Sequence, residues 1–540
     1  MLGHLLAAVL ALVPASSRAA VVIDSVLPEP AVSTQAAPGP APAPEPQKKV
    51  SLYELGMSQR RSGDLQAAKK TFEEMLAQDP ESAGAFEGLG LVSLSLKDYE
   101  TARECFSKWA KKSPKSAYVW WNLSRADAAL EREDDLAADL AAAADADRRD
   151  LRVWRRLDGV MSRRPSMQAD GRIYKSIGVE DLETPNPQRI VYAGRTGSVR
   201  GIARVHPKLD LLTGYSLRED VQKNDTRGFT YFDVLEQTPS LGVRARPVKR
   251  LDLEAEYGQS YFSDVEGLGV GRQNFARARV AGEWRHPWAT FRAKGARLPY
   301  YLRGGFSSTY FRVLRELSAG GELEKDALGV TWLLKGGHTG YSDRTNLVTW
   351  GFSGIKEHGD HLMRAGFTKG YDDYTGADDL GRSRFAGYDG WRVSYRHLRE
   401  GYYRLDLGYG YYNYYDSNKL KDLSGGAVLW VPLARSFSLE YRGAAADYRF
   451  PQPGRRTSDW TEHWAGPHWR RMVLDGWWAH LAWEHGWQRD SRGSYEGEYF
   501  LAETEYYRTE RFSTQVGGRV SRNAMRDESF SLKLSARYSF

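Results

Sequence analysis

Four histidines, His463, His468, His480 and His485, lie among the seven tryptophans between Trp460 and Trp487. Imidazoles in that density could hold zinc, but a zinc site needs three or four ligands converging on one point. His480 and His485 differ in parity, so on a strand they face opposite ways. Trp477, Leu481 and Trp483 fit a lipid-facing aromatic girdle. That leaves Trp478, His480 and Glu484 on the other face, where a flat indole with polar neighbours could stack on a sugar ring. The glycines of EGLGVGRQ, Gly267, Gly269 and Gly271, do not lead from a strand into a helix as a dinucleotide site requires, and read as a loop. Asp372, Asp373, Asp378 and Asp379 could offer oxygens to a hard cation, but their spacing fits no calcium loop, and a solvated loop is the expectation. No nucleophile and base fall into a recognisable arrangement. The chain is therefore expected to be no enzyme and to use no metal or cofactor.

Charge is the more informative chemistry. The chain carries 76 Lys and Arg against 69 Asp and Glu. Residues 1–185 hold 24 basic and 27 acidic side chains, which leaves 52 basic and 42 acidic, a net of +10, in residues 186–540. Arg277, Arg279, Arg404, Arg442, Lys533 and Arg537 all fall on the polar parity of alternating segments. With Trp478 and Glu484 they are the candidate lining of a lumen, where an unpaired set would attract anions.

The elements that must position these residues have a period of two. Tyr403, Leu405, Leu407, Tyr409 and Tyr411 alternate with Arg404, Asp406, Gly408 and Gly410, and Leu251, Leu253, Ala255 and Tyr257 alternate with Asp252, Glu254, Glu256 and Gly258. Such segments are strands with one apolar and one wet face. They reconcile 17 Trp, 31 Tyr and 19 Phe with a mean hydropathy of −0.57, because alternating faces cancel in any window. Short connections are expected at His206-Pro207-Lys208, Pro247-Val248-Lys249, His286-Pro287, Glu324-Lys325-Asp326, 357–360, Arg399-Glu400-Gly401, Leu433-Ala434-Arg435 and Thr509-Glu510. Longer polar loops are expected at 220–227, 263–273, 373–387, 416–423, 451–459 and 489–495. This asymmetry predicts an outer-membrane β-barrel over 186–540, of roughly 16–20 strands at about 20 residues per strand with its connections.

Towards the N-terminus the pattern is helical. Residues 2–15 form an apolar run followed by Ser17-Arg18-Ala19, which reads as a secretory signal peptide over 1–19. A Pro/Ala-rich linker follows over 20–49. From 50 to 165 residues recur every 34 positions: Gly56 and Gly90, Ala68 and Ala102, Phe72 and Phe106, Pro80 and Pro114. The small residues let two helices approach, the Phe fills the groove between hairpins, and the Pro ends the second helix. This spacing resembles the tetratricopeptide repeat. The third unit is degenerate, with Leu136 in the small-residue position, and 151–165 reads as a capping helix. Residues 166–185 are expected to be linker. The single cysteine, Cys105, excludes an intramolecular disulfide.

The final segment alternates Phe530, Leu532, Leu534, Ala536, Tyr538 and Phe540 with Ser and basic residues. It resembles the terminal signal read by the bacterial barrel assembly machinery, with Tyr538 and Phe540 as the marked positions. The whole order, an export signal, a periplasmic α-helical tetratricopeptide solenoid and a C-terminal transmembrane antiparallel barrel, resembles the outer-membrane exporters of secreted polysaccharides, of the poly-N-acetylglucosamine porin and cellulose-secretion type. The resemblance implies an outer-membrane channel for a polymer, with periplasmic repeats that recruit a polysaccharide or its modifying proteins. Outer-membrane lipid and the assembly machinery are the other implied partners, and nucleic acid is not one. A protein translocator or surface-lipoprotein assembly factor, and a general porin with a docking module, are the alternative readings.

Overall fold

The computed structural model describes residues 51–180, 188–264, 272–303, 311–377, 383–399, 401–415, 419–431, 436–449, 459–490, 493–523 and 528–540. The expected signal peptide and Pro/Ala linker, the Gly267, Gly269 and Gly271 loop, Asp378 and Asp379, and the Leu433-Ala434-Arg435 turn lie outside the described residues.

Seven helices come first: α1 (Leu52–Ser62), α2 (Leu65–Gln78), α3 (Ala83–Ser95), α4 (Tyr99–Lys112), α5 (Ala117–Ala129), α6 (Glu133–Ala146) and α7 (Leu151–Met161). The 34-residue spacing sets both their packing and their ends. Phe72 is fully buried, and a Cβ added at Gly56 or Gly88 would stand 2.7 or 2.2 Å from its ring. Phe106 sits against Gly90 in the same way, at 2.7 Å. Asp64 and Asp98, 34 positions apart, cap α2 and α4 by accepting from Ala67 N and Thr101 N. The corresponding position in the third repeat is Arg132, which makes no side-chain cap, so the degeneracy seen in the sequence is also a lost cap. Pro80 and Pro114 follow directly on the C-caps Asp79 and Ser113 and stop the second helices.

Twenty antiparallel strands follow. They are β1 (Ser166–Glu180), β2 (Gln188–His206), β3 (Leu209–Asn224), β4 (Phe229–Ala245), β5 (Leu251–Asp264), β6 (Gln273–His286) and β7 (Ala289–Arg303). Next come β8 (Phe311–Ala327), β9 (Val330–Tyr341), β10 (Asn346–His358), β11 (His361–Ala377), β12 (Ser383–Arg399), β13 (Tyr403–Tyr414) and β14 (Lys419–Trp430). The last six are β15 (Phe437–Tyr448), β16 (Asp459–Leu474), β17 (Trp477–Asp490), β18 (Gly493–Thr509), β19 (Phe512–Asn523) and β20 (Glu528–Ser539). Each strand pairs with the next in sequence, and β20 pairs with β1 from Ser166↔Ser539 to Ile177↔Glu528. The sheet is a closed barrel with no edge, at the upper end of the expected strand count.

The alternation divides the two faces. Val280, Trp284, Leu317, Trp391, Leu407 and Leu439 are exposed on the outer face, while the residues between them turn inward. Trp477, Leu481 and Trp483 also lie on the outer face, as the girdle reading expects.

Three expectations need correction. Residues 166–180, expected as linker, form β1. Lys175 and Gly171 interrupt its outer row of Met167, Ile173 and Ile177, so the alternation is weak in sequence, and pairing on both sides supplies the order. The turn expected at Glu324-Lys325-Asp326 lies further on, at Leu328-Gly329, whose φ values of 56° and 70° suit a tight hairpin. Glu324 instead points inward onto Arg292 at 2.7 Å, so a charged cluster that reads as a turn is a lined interior. Most of the expected long loops are also shorter than drawn: β3 runs to Asn224, β11 to Ala377, and β14 starts at Lys419, because polar inward rows prolong strands past the point where their composition looks loop-like.

Candidate functional site

The interior wall of the barrel and its short-turn mouth hold the inward side chains of greatest chemical interest. At the mouth, α7 is fixed from both chain and sheet. Asp150 caps it, accepting from Arg152 N at 2.9 Å, and Leu151, Trp154, Leu157 and Met161 recur on one helical face as a buried stripe. Trp154 stacks on Tyr507 of β18 with centroids 5.7 Å apart, in a cluster that also holds Trp478 and Met472. Arg155 donates from Nε to Glu505 Oε2 at 2.9 Å and from Nη2 to Oε1, a bidentate pair on a carboxylate that is only 4% exposed. Asp158 accepts from Arg537 Nε at 2.7 Å and from Ser513 Oγ. All these barrel partners share the inward face of β16–β20, so α7 lies inside the rim.

Beyond α7 a polar chain runs along β16 and β17. Arg470 Nη2 stands 3.0 Å from His480 Nδ1, His480 Nε2 is 3.3 Å from His468 Nδ1, His468 Nε2 is 3.0 Å from Glu484 Oε1, and Arg442 Nε donates to Glu484 Oε2 at 2.9 Å. A guanidinium only donates and a carboxylate only accepts. With Arg470 donating, His480 Nδ1 accepts and each imidazole donates from Nε2, while Glu503 Oε2, 3.6 Å from the same Nδ1, offers an acceptor to the other tautomer. The chain holds both rings in place between two arginines. No group of three or more His, Cys, Asp or Glu among the described residues is placed to hold a metal ion.

The sequence-derived candidates fall into three groups. Four of the arginines face carboxylates. Arg277 reaches Glu236 at 3.3 Å, Arg442 pairs with Glu484, Arg537 with Asp158, and Arg404 stands 2.7 Å from Asp406 without hydrogen-bond alignment. Arg279 and Lys533 have no carboxylate within 4.0 Å among the described residues; Arg279 borders a cavity of about 210 Å³ and Lys533 one of about 920 Å³. Trp478 does not offer a free ring face, because α7 and Tyr507 bury it, and Glu484 is occupied by His468 and Arg442. The sugar-stacking alternative at Trp478, His480 and Glu484 meets a helix that covers the indole, whose docking no local pattern in β17 could reveal. Sequence reading also missed Glu505, Tyr507 and Arg470. Their parity was legible, but not their neighbours. Tyr538 faces outward against Phe540, with ring centroids 5.6 Å apart, and Phe540 N donates to Pro165 O at 3.1 Å, tying the last strand to the entry of the first.

The larger cavity is lined by Thr196, Ser198 and Ser216 hydroxyls, by Arg172, Arg218, Arg277 and Lys533, and by Asp170 and Glu236. With Leu217, Leu298, Pro299 and Tyr300 also on its wall, it is a mixed but hydrogen-bonding interior inside an apolar outer face, the division of surfaces that a membrane-spanning barrel requires.

Residues 53–117 match the tetratricopeptide repeat family. No curated protein matches the chain in sequence. Among solved structures, MamA (41-end) from Desulfovibrio magneticus RS-1 is 24% identical over 21% of this chain and 63% of its own, with a TM-score of 0.20, so the chain spans less than two thirds of its length. The siderophore receptor PirA from Pseudomonas aeruginosa is 10% identical over 69% of this chain and 81% of its own, TM-score 0.42. A bacterial polysaccharide outer membrane secretin is 9% identical over 69% of this chain and 98% of its own, TM-score 0.32. The chain joins tetratricopeptide repeats to a closed twenty-strand antiparallel β-barrel.

Proposed function

We propose that this protein exports a polymer, an exopolysaccharide, across the outer membrane, with its repeats on the periplasmic side. The observation that carries the reading is the attachment of the solenoid to the short-turn rim, through α7 on β16–β20 and through further contacts on β4–β8. In outer-membrane barrels the short turns face the periplasm, so a domain held there meets cargo and periplasmic proteins before the channel does. The hydroxyl-rich and ion-paired interior suits a hydrated chain that exchanges hydrogen bonds as it passes. Repeat surfaces of this kind recruit either the polymer or a protein that modifies it. The signal peptide expected over 1–19 would direct export, and Tyr538 with Phe540 would be the mark read by the barrel assembly machinery.

The test is deletion of the gene in its native bacterium, with assay of polymer in culture medium and in periplasm. Polymer trapped in the periplasm supports the reading. Normal surface polymer with loss of a surface lipoprotein would overturn it in favour of protein translocation.

A further inference from the structure

We propose that the repeats α1–α6 form a lid over the short-turn mouth, hinged at α7 and latched on the opposite side of the rim by the turns inside the repeats. The lid rests on the channel reading, and three residues spaced by 34 mark its latch. Gly63, Lys97 and Glu131 occupy equivalent turns, with φ of 89°, 63° and 59°. Glycine suits that left-handed backbone, whereas lysine and glutamate are strained in it. Both strained residues reach the barrel. Lys97 Nζ lies 2.7 Å from Asp326 of β8, and Glu131 faces Arg285 of β6 at 3.6 Å and Arg250 of the β4–β5 turn at 3.8 Å. Glu133 adds a contact to Arg246 at 3.8 Å. The first repeat keeps its glycine, and among the described residues nothing lies within 4 Å of where a Gly63 side chain would begin.

The two sides of the attachment differ in kind. At α7 Arg155 holds the buried Glu505 carboxylate with two hydrogen bonds, Asp158 pairs with the buried Arg537, Trp154 lies in a buried apolar cluster, and the chain runs on into β1, although the adjoining Arg148–Asp475 pair is exposed. At β4–β8 the pairs are exposed, as for Lys97 and Asp326, or longer than a hydrogen bond, as for Glu131 and Glu133. Exposed pairs are weak and screened by salt, whereas a buried bidentate pair is screened far less. The β4–β8 side therefore releases first, and the solenoid swings about α7. Because it reaches from β16–β20 to β4–β8, it crosses the opening when latched.

The experiment uses the full chain in planar bilayers. Lys97→Glu with Glu131→Lys is expected to raise the conducting fraction at least tenfold, and raising salt is expected to open the unaltered protein. Adding Asp326→Lys to Lys97→Glu should restore closure. In a Lys97→Cys, Asp326→Cys variant, a short cleavable thiol crosslinker should abolish conductance and a reductant should return it, with buried Cys105 left unreacted. Conductance that is the same in the unaltered, charge-reversed and crosslinked proteins would overturn the lid while leaving the channel intact. Absence of conductance in every form, with heat-modifiable migration showing folded barrels, would overturn the channel reading and the lid with it.

Discussion

At the scale of single residues, the solenoid depends on close approaches that leave no room for a methyl group. Gly88 presses on the fully buried Phe72 ring, so Gly88→Ala is expected to destabilise the repeats by about 1–3 kcal/mol, the range for overpacking a tight core. Loss of helical circular dichroism at lower temperature, with the barrel's strand signal unchanged, is the readout. Asp139 makes a second case. Burial, and then the hydrogen bond its protonated form donates to the neighbouring Asp127 carboxylate, push it up to about 8 from an ordinary 3.8. An acid whose folded pKa is raised adds stability that is fully present below its unfolded pKa and is lost as pH rises through the folded one. The repeats should therefore lose stability between about pH 4 and pH 8, and Asp139→Asn should flatten that slope in thermal melts taken across the range. An unchanged slope would show that the carboxyl does not hold its proton in the fold.

At the scale of elements, α7 is the joint between two architectures. Its apolar stripe completes the repeat core, and Trp154 and Arg155 extend that core onto β18. Arg155→Ala takes both guanidinium hydrogen bonds from the Glu505 carboxylate, leaving it the Tyr507 hydroxyl at 2.8 Å and the more distant charge of Arg470. Breaking a buried pair costs about 3–5 kcal/mol, and the half-exposed guanidinium places this case near the lower end. Proteolysis between the repeats and β1 should therefore quicken in the folded protein. Glu505→Gln combined with Arg155→Ala should restore part of the protection, because the uncompensated charge is gone, and additive effects would argue against a direct pair. The 34-residue period and the stops at Pro80 and Pro114 made the helices themselves legible. The docking of α7 was not, because its partners lie more than 300 positions away.

At the scale of the whole molecule, ion pairing redistributes the net +10 of the barrel segment. An unpaired arginine lining would favour anions, but Arg277, Arg404, Arg442 and Arg537 each face a carboxylate. Arg279 and Lys533 are left to shape the field. With the pore conducting, reversal potential under a salt gradient is expected to show only a slight anion preference, and Lys533→Glu should abolish it. A strong preference in either direction would mean that the pairs do not hold in the conducting state. The seam between β20 and β1 governs assembly: Phe540→Asp should lower the yield of heat-modifiable barrel in the outer membrane without lowering export to the periplasm, since it places a charge beside Tyr538 on the outward face.

By itself, the sequence determined that helical repeats precede a barrel, which residues of each strand share a face, and where the last strand alternates. These are properties of a period, and a period is written locally. Only the tertiary structure decided that β1 begins at Ser166, that Arg470, His480, His468, Glu484 and Arg442 join in one chain, and that α7 covers Trp478. Alternation tells each side chain which face it takes but not which residue stands opposite, because register is set by the strands on both sides and, in a closed barrel, by all twenty together.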